Sequence, residues 1–187
     1  TQEIDNEFRR RVEKGMDETG NRVFLHTAPH HDDIMLGYLP YILHLVRKPT
    51  NYHYFATLTS GFTSITNTYT LSQLENLEKH IKEGKLKRLL KEENYFRPDN
   101  VVGRNRDIYR YLDGVAGGKE ETKREAEARR AYRNISELIG NTEPKEVLRK
   151  ALFLKKELLS AYPGKKDVPE IQKLKGMIRE WEEELLW

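Results

Sequence analysis

Hydrophobic and polar positions change their pattern along the chain, from short apolar runs near the start to helical periodicity later. Two runs, near 22–27 and 52–59, are rich in β-branched and aromatic residues, which indicates β-strands. The residues between them, 34–46, are apolar on nearly every side, which is typical of a buried helix. A strand, a helix and a second strand in this order predict the opening of a parallel βαβ unit.

The later part of the chain has the pattern of a helical region. From residue 71 onward, apolar side chains recur at helical spacing, which predicts that 71–165 is a large helical insertion. Within it, we expect a loop at 96–106 and a short helix at 107–115. Charges of alternating sign at 119–130 are typical of a solvated helix face. The predicted fold is therefore α/β and helix-dominated overall, and the alternative is an all-α domain in which both predicted strands are helical.

Composition and charge exclude several classes of protein. The chain has 187 residues and no cysteine, so a disulfide scaffold, thiol catalysis and a cysteine-ligated metal site are excluded. Its 33 basic and 30 acidic side chains leave a net charge of +3, which gives no reason to expect a nucleic-acid partner. No apolar stretch approaches the roughly 20 residues of a membrane span, and we expect no membrane partner. A cytoplasmic location fits these observations and is our expectation.

The residues with the clearest chemical potential follow the first predicted strand. His30, His31, Asp32 and Asp33 occupy consecutive positions between that strand and the buried helix. Ligands bind at this edge of open α/β sheets, and imidazole nitrogen and carboxylate oxygen suit zinc or a similar divalent ion. The alternative is structural, with Asp32 and Asp33 capping the helix and the histidines lying in the loop. We expect the adjacent side chains of His30 and His31 to point apart.

Other histidines and a basic cluster favour structural roles. His26 and His53 lie in the two predicted strands, and we predict that both are core residues. Arg104, Arg106 and Arg110 form a small basic cluster that either contacts a sugar phosphate or, as we favour, is an ordinary solvated patch.

The loop sequence APHHDDIMLG resembles the (A/S)-P-H-P-D-D-x-x-x-G signature of the PIG-L/LmbE family, which comprises zinc-dependent deacetylases of N-acetylglucosamine-type sugars. The resemblance implies a Rossmann-like α/β/α domain whose first strand precedes this motif. It also implies that His30 and Asp33 are metal ligands and that Asp32 is the general base. His31 stands where the signature has proline, which places a second imidazole beside the site and makes it a candidate substrate-binding residue.

The resemblance extends to two further segments. TLTSG at 57–61 resembles the second strand and loop that line the family's substrate pocket, which implies substrate-binding roles for Ser60 and Gly61. IREWEEELLW resembles a later helix of the family, so the family-like core covers 22–65 and 167–187. The family's third ligand is a histidine from the later half of the domain, beyond Trp187. We therefore expect a partial domain with an incomplete site, in which Zn²⁺ or another divalent metal is bound weakly or is absent. The alternative is that His31, the one nearby residue able to compensate, replaces the missing ligand.

The combination of these segments looks most like a bacterial subgroup in which such a domain lies C-terminal to a glucosamine-6-phosphate deaminase module. The chain begins at Thr1 and its first methionine is Met16, so we expect a piece of a longer protein. The expected function is metal-dependent hydrolysis of an N-acetylated amino sugar, within amino-sugar metabolism. The alternative is a non-catalytic accessory or oligomerisation module of the deaminase fusion, with homo-oligomer formation.

Overall fold

The computed structural model describes residues 2–16, 19–162 and 164–186. The chain divides into two compact units, residues 1–59, here called the strand unit, and residues 60–187, here called the helical unit. In chain order the helices and strands are α1 (Gln2–Met16), β1 (Val23–Ala28), α2 (His31–Val46), β2 (Tyr52–Thr57), a 3-10 turn (Phe62–Ser64), α3 (Asn67–Lys82), α4 (Lys87–Leu90), α5 (Val101–Ala116), α6 (Glu120–Ile139), α7 (Pro144–Leu159) and α8 (Pro169–Glu184). None of the described helices is long and apolar enough to cross a membrane.

The strand unit contains a parallel pair of strands. β1 and β2 pair in register from Val23 opposite Tyr52 to Ala28 opposite Thr57. This confirms the prediction of two parallel strands in a helix-dominated α/β chain, and the all-α alternative is wrong. One face of the sheet contacts α2, and the small core between them contains Ala28, Ile34 and Ile42.

The helix between the strands is buried on one side only. Ile34, Ile42 and Leu45 of α2 are buried, whereas Leu36 is 87% exposed and Leu43 is also exposed. The prediction of a helix buried all round is therefore wrong. The physical reason is that the sheet of the strand unit covers one face of α2 and the opposite face meets solvent.

The side chain of Asn51 holds the strand unit together at the start of β2. Its Oδ1 accepts from the backbone N–H of Arg22 at 3.1 Å, and its Nδ2 donates to the carbonyls of Thr19 at 2.7 Å and Leu45 at 3.0 Å. These three bonds join the entry to β1, the end of α2 and the start of β2. Because buried backbone groups need partners, this one amide fixes the relative position of three segments.

The helical unit has α6 at its centre, in contact with α3, α5, α7 and α8. Its core includes Leu77, Ile135, Leu154 and Leu174, which come from four different helices. Helix α5 begins at Val101, earlier than the predicted start at 107, and occupies part of the predicted loop at 96–106.

Helix α8 belongs to the helical unit. Its residues Ile171, Leu174 and Ile178 lie in the core of that unit, and α8 contacts α6 and the 3-10 turn. The resemblance predicts that 167–187 and 22–65 form one family-like core. In the structure, the apolar stripe of α8 packs among the helices of the helical unit. Trp187 lies outside the described residues, and the assignment of the whole chain to one partial domain stays a prediction.

The middle of α6 carries buried charges. Arg129, Arg130 and Arg133 are at most 6% exposed, so the prediction of a solvated face at 119–130 is wrong for its last two residues. Arg133 donates to the carboxylate of the fully buried Asp107 at 2.9 Å, and Asp107 also accepts from the hydroxyl of Tyr95 at 2.7 Å. Buried charge is tolerated here because each group has charged or hydrogen-bonding partners.

Candidate metal site

The loop that carries the candidate site lies at the carboxyl ends of both strands. β1 ends at Ala28, whose carbonyl accepts from the N–H of Leu58 at 3.0 Å. The next carbonyl, of Pro29, accepts from the N–H of Thr59 at 2.9 Å. These bonds continue the pairing beyond the strands and fix the backbone from which His30 projects. The position agrees with the rule that ligands bind at the carboxyl edge of parallel sheets.

Helix α2 is capped at its amino end by a reciprocal arrangement. The N-cap residue is His30, whose Nδ1 accepts from the N–H of Asp32 at 3.4 Å. The carboxylate of Asp33 accepts from the N–H of His30 at 3.0 Å, which completes a capping box. The structural alternative assigned capping to Asp32 and Asp33, and the structure gives it to His30 and Asp33. The positive end of the helix dipole favours both acidic groups in the first turn.

His30, His31 and Asp32 bring three donor atoms together. Nδ1 of His30 lies 3.3 Å from Oδ2 of Asp32, and Nε2 of His31 lies 3.0 Å from Oδ1 of the same carboxylate. The ring centroids of the two histidines are 4.1 Å apart. The expectation that adjacent side chains point apart is therefore wrong. The reason is a change of backbone conformation, since His30 is extended at φ −139° and His31 is the first helical residue.

These three residues could hold a metal ion. One ligand atom from each lies within 4.8 Å of the others. Two ligands of a tetrahedral zinc ion at about 2.1 Å are separated by roughly 3.4 Å, which is close to the distance from each imidazole nitrogen to its own nearer oxygen of the Asp32 carboxylate. The imidazoles are largely buried and the Asp32 side chain is 54% exposed, so the group opens to solvent on the carboxylate side.

The structure and the sequence differ over which residues belong to this group. His30 belongs to both sets. His31 contributes a donor that the resemblance gave only to substrate binding, and no spacing in the sequence could have shown that its ring turns towards His30. One carboxylate oxygen of Asp33 bonds to the backbone of His30, and its role as a ligand stays a prediction.

Ser60 and Gly61, the predicted substrate-binding residues, belong to the helical unit. Gly61 has φ +64° and precedes the 3-10 turn, a conformation that favours glycine. Ser60 lies next to Gly176 of α8, where its Oγ would be 3.2 Å from an added Cβ. Their role in a pocket at the end of β1 stays a prediction.

His26 and His53 form a pair on the face of the sheet that α2 covers. Nε2 of His26 and Nδ1 of His53 are 2.9 Å apart, and the rings are stacked. His26 is 6% exposed, which confirms the prediction of a core residue, while His53 is half-buried. Burial, together with the nearby His53, lowers the pKa of His26.

The basic cluster on α5 is neutralised by acidic neighbours. Arg106 pairs with Glu92 at 2.5 Å, and Arg110 pairs with Glu125 at 2.6 Å. Arg104 pairs with Glu184 of α8. Such pairing is typical of structural surface charges and favours the solvated-patch interpretation over a phosphate site.

Comparisons with known proteins give no relative on which to base a function. No family model, no curated protein and no solved structure matches this chain.

Proposed function

We propose that the chain carries the metal site of an amide hydrolase that removes the acetyl group from an N-acetylated amino sugar. The observation that carries the proposal is the convergence of His30, His31 and Asp32 at the carboxyl ends of two parallel strands. The resemblance of APHHDDIMLG to the PIG-L/LmbE signature supports the reaction and the substrate class. In the same proposal, β1, α2 and β2 open a Rossmann-like α/β/α domain, and the protein acts in the cytoplasm.

The residues of the loop can divide the work of amide hydrolysis. When bound, a zinc ion supplies Lewis-acid polarisation of the amide carbonyl. In the assignment that the resemblance implies, Asp32 does not hold the ion and, as the most exposed of the three grouped residues, can take a proton from the attacking water. The water oxygen bonds to the acyl carbon, the carbon–nitrogen bond breaks, and the proton passes to the amine. The products are acetate and the free amino sugar.

Two assignments of the carboxylates follow, and they predict different variants to lose the metal. In the grouping of the structure, His30, His31 and Asp32 hold the ion. In the assignment that the resemblance implies, His30 and Asp33 hold it and Asp32 is the base. Both assignments need His30, and they differ in the effect of removing His31, Asp32 or Asp33.

The test is zinc binding by calorimetry on metal-free protein, followed by an assay of acetate release from N-acetylglucosamine and its 6-phosphate. We expect His30→Ala to weaken binding by at least about 100-fold, because loss of a ligand should cost no less than loss of a partner that supports one. His44→Ala on the same helix is the matched control and should bind zinc as the unchanged chain does. Loss in Asp32→Asn with retention in Asp33→Asn supports the first assignment, and the reverse supports the second.

The proposal fails if the chain binds neither zinc nor another divalent ion above the level of the His30→Ala variant. Asp33 and His30 then have only their capping role. Zinc binding without acetate release would support the proposed metal site and contradict the proposed deacetylase activity.

A second candidate is the accessory or oligomerisation module of a glucosamine-6-phosphate deaminase fusion. The observation that favours it is the apolar stripe of α1, where Ile4, Phe8, Val12 and Met16 are each at least 60% exposed. Exposed apolar surface of this kind marks contact sites. Light scattering tests this candidate, because Phe8→Glu should lower the mass of any assembly while Glu13→Gln should not.

A further inference from the structure

The helical unit carries an open groove along α5 that none of the roles described above uses. Its volume is about 440 Å³, which lies within the range of about 300–1,000 Å³ that small-molecule sites occupy. Most of its lining is apolar and comes from α5 and the end of α8, with Val101, Ile108, Tyr109, Leu112 and Leu185. The polar part of the lining consists of Arg104, Asn105 and Glu184.

The apolar side chains of the groove lie on the outer face of α5. Val101 is 63% exposed and Tyr109 is 66% exposed, although neighbouring positions at helical spacing usually form a packed stripe. The opposite face of the helix packs on α6, where a Cβ added to Gly114 would lie 2.7 Å from the backbone nitrogen of Lys123. The groove therefore rests on a helix that is held closely from behind and leaves apolar surface open in front.

The groove carries positive charge because two guanidinium groups share one carboxylate. Glu184 is the carboxylate of the lining. Arg130 of α6 donates to both of its oxygens, at 2.7 and 3.0 Å, and Arg104 donates to one of the same oxygens. Burial lowers the pKa of Arg130, and the charges of Arg104 and Arg133 lower it further. This direction is expected where guanidinium groups outnumber the carboxylates beside them.

Arg104 has hydrogen-bond donors left for a ligand. A guanidinium group has five N–H donors, and within the described residues the side chain of Arg104 donates through Nη2 to Glu184. The side chain is 37% exposed, so its other donors are open to solvent. The neighbouring Asn105 is exposed and offers an amide N–H to the same groove. Since guanidinium matches the planar geometry of a carboxylate, this part of the lining suits a carboxylate ligand.

We propose that this groove binds a small organic carboxylate that has a hydrocarbon chain. Its carboxylate accepts from Arg104 and Asn105. Its chain lies against Val101, Ile108 and Leu112. Free phosphate does not fit as well, because it leaves the apolar lining in water, and a cation is repelled by the excess positive charge. The groove belongs to the helical unit, so the proposal does not depend on the proposed metal site.

Calorimetry with octanoate tests the proposal. Octanoate should bind saturably at one site per chain, with the ionic strength held constant by sodium chloride. Octan-1-ol has the same chain without the charge, and acetate has the charge without the chain, so each should bind at least about tenfold more weakly. From butanoate to octanoate, each added methylene should tighten binding by up to about fourfold, the effect of burying one CH₂ group.

Matched variants identify the charge responsible. Arg104→Gln leaves the neutral pair of Arg130 and Glu184 in the groove and should weaken octanoate binding by about tenfold or more. Arg149→Gln removes the same charge from an exposed position on α7 and should leave the affinity unchanged. Glu184→Gln removes the carboxylate that competes with the ligand and should tighten binding.

Three results would overturn the proposal. Unchanged affinity in Arg104→Gln would place octanoate on another apolar surface, such as the stripe of α1. Octan-1-ol binding as tight as that of octanoate, or no saturable binding at all, would show that the charge of the groove selects no ligand. Octanoate binding that weakens with rising protein concentration, together with a doubled mass in light scattering, would show that a second copy of the chain covers the groove.

Discussion

The helical unit and the strand unit bury apolar surface to very different extents. In the helical unit, four helices contact α6, and leucine and isoleucine side chains of three of them, α3, α7 and α8, form a continuous core with Ile135 of α6. In the described part of the strand unit, the core cluster consists of Ala28, Ile34 and Ile42, and the other face of the sheet is bare, with Leu25 and Tyr54 exposed. Because burial of apolar surface is the main source of stability, the helical unit should be the more stable part.

Charged residues show the opposite arrangement. The helical unit buries Asp107 and Arg133 in full contact with partners, whereas the strand unit gathers His30 and Asp32 at an edge that opens to solvent. The Asp107–Arg133 ion pair joins α5 to α6, whereas the side chains of His30 and Asp32 lie where a ligand can reach them. The comparison teaches that the candidate metal site lies on the unit with the smaller apolar core, as is common for sites on loops.

The largest predicted effect breaks the charge network of the helical unit. Asp107→Ala leaves Arg133 buried without its carboxylate, and we expect the free energy of unfolding to fall by about 3–5 kcal/mol. Urea unfolding measures the change. Asp113→Ala removes an exposed carboxylate from the same helix and should alter stability by about 0.5 kcal/mol or less. A loss below about 1 kcal/mol for Asp107→Ala would contradict the view that buried charge organises this unit.

The second prediction contrasts the two sides of α2 in the strand unit. Ile34 is fully buried, so Ile34→Ala should cost about 2–5 kcal/mol. Leu36 is exposed on the same helix, and Leu36→Ala should change stability by about 0.5 kcal/mol or less. Hydrogen exchange of the β1 and β2 amides measures the local effect. Equal losses in both variants would mean that α2 is covered on both sides.

Local patterns predict most of this fold. The composition of the two strands and the order strand, helix, strand are sufficient to predict the parallel pairing of β1 and β2, because each of these patterns is contained in a short segment of the chain. The start of α5 was missed because it depends on Asn100, whose side chain accepts from the N–H of Gly103 at 2.8 Å. Asparagine is common in both loops and caps, so its sequence neighbourhood does not distinguish the two.

Long-range partners explain the remaining errors. Arg129 and Arg130 look solvated in sequence because the Glu184 that pairs with Arg130 lies 54 positions away, and the helix they share is otherwise highly charged. The motif lies at the end of β1, where the structure brings His30, His31 and Asp32 together. It could not place the ring of His31 beside His30, since that contact depends on backbone angles at the strand-to-helix junction.

The third prediction uses the histidine pair to make the strand unit sensitive to pH. Burial and His53 lower the pKa of His26 below its ordinary value of about 6.5. The unfolded chain therefore binds a proton at this imidazole more readily than the folded chain does. The free energy of unfolding is highest above about pH 6.5, and it decreases as the pH falls from there towards the pKa of His26 in the folded state. We expect a loss of at most about 1 kcal/mol between pH 6.5 and 5.5.

Hydrogen exchange at the two pH values, corrected for the intrinsic rate, measures this loss at the β1 amides. His26→Gln should remove the pH dependence, whereas His44→Gln, on α2 outside the pair, should retain it. A His26 imidazole that titrates at or above 6.5 in an NMR titration would show that the pair does not have this effect.

The smallest predicted effect concerns the bare face of the sheet. Leu25 is 68% exposed, and threonine is at least as well suited to a strand, so Leu25→Thr should change the free energy of unfolding by about 0.5 kcal/mol or less. The matched variant on the covered face is Phe55→Thr, which removes a ring that stacks on His26 at 4.7 Å and should cost clearly more. Exchange of the β1 and β2 amides compares the two variants. If Leu25→Thr costs about 2 kcal/mol, that leucine is packed against an apolar surface in solution, and the strand unit has a second core on this face.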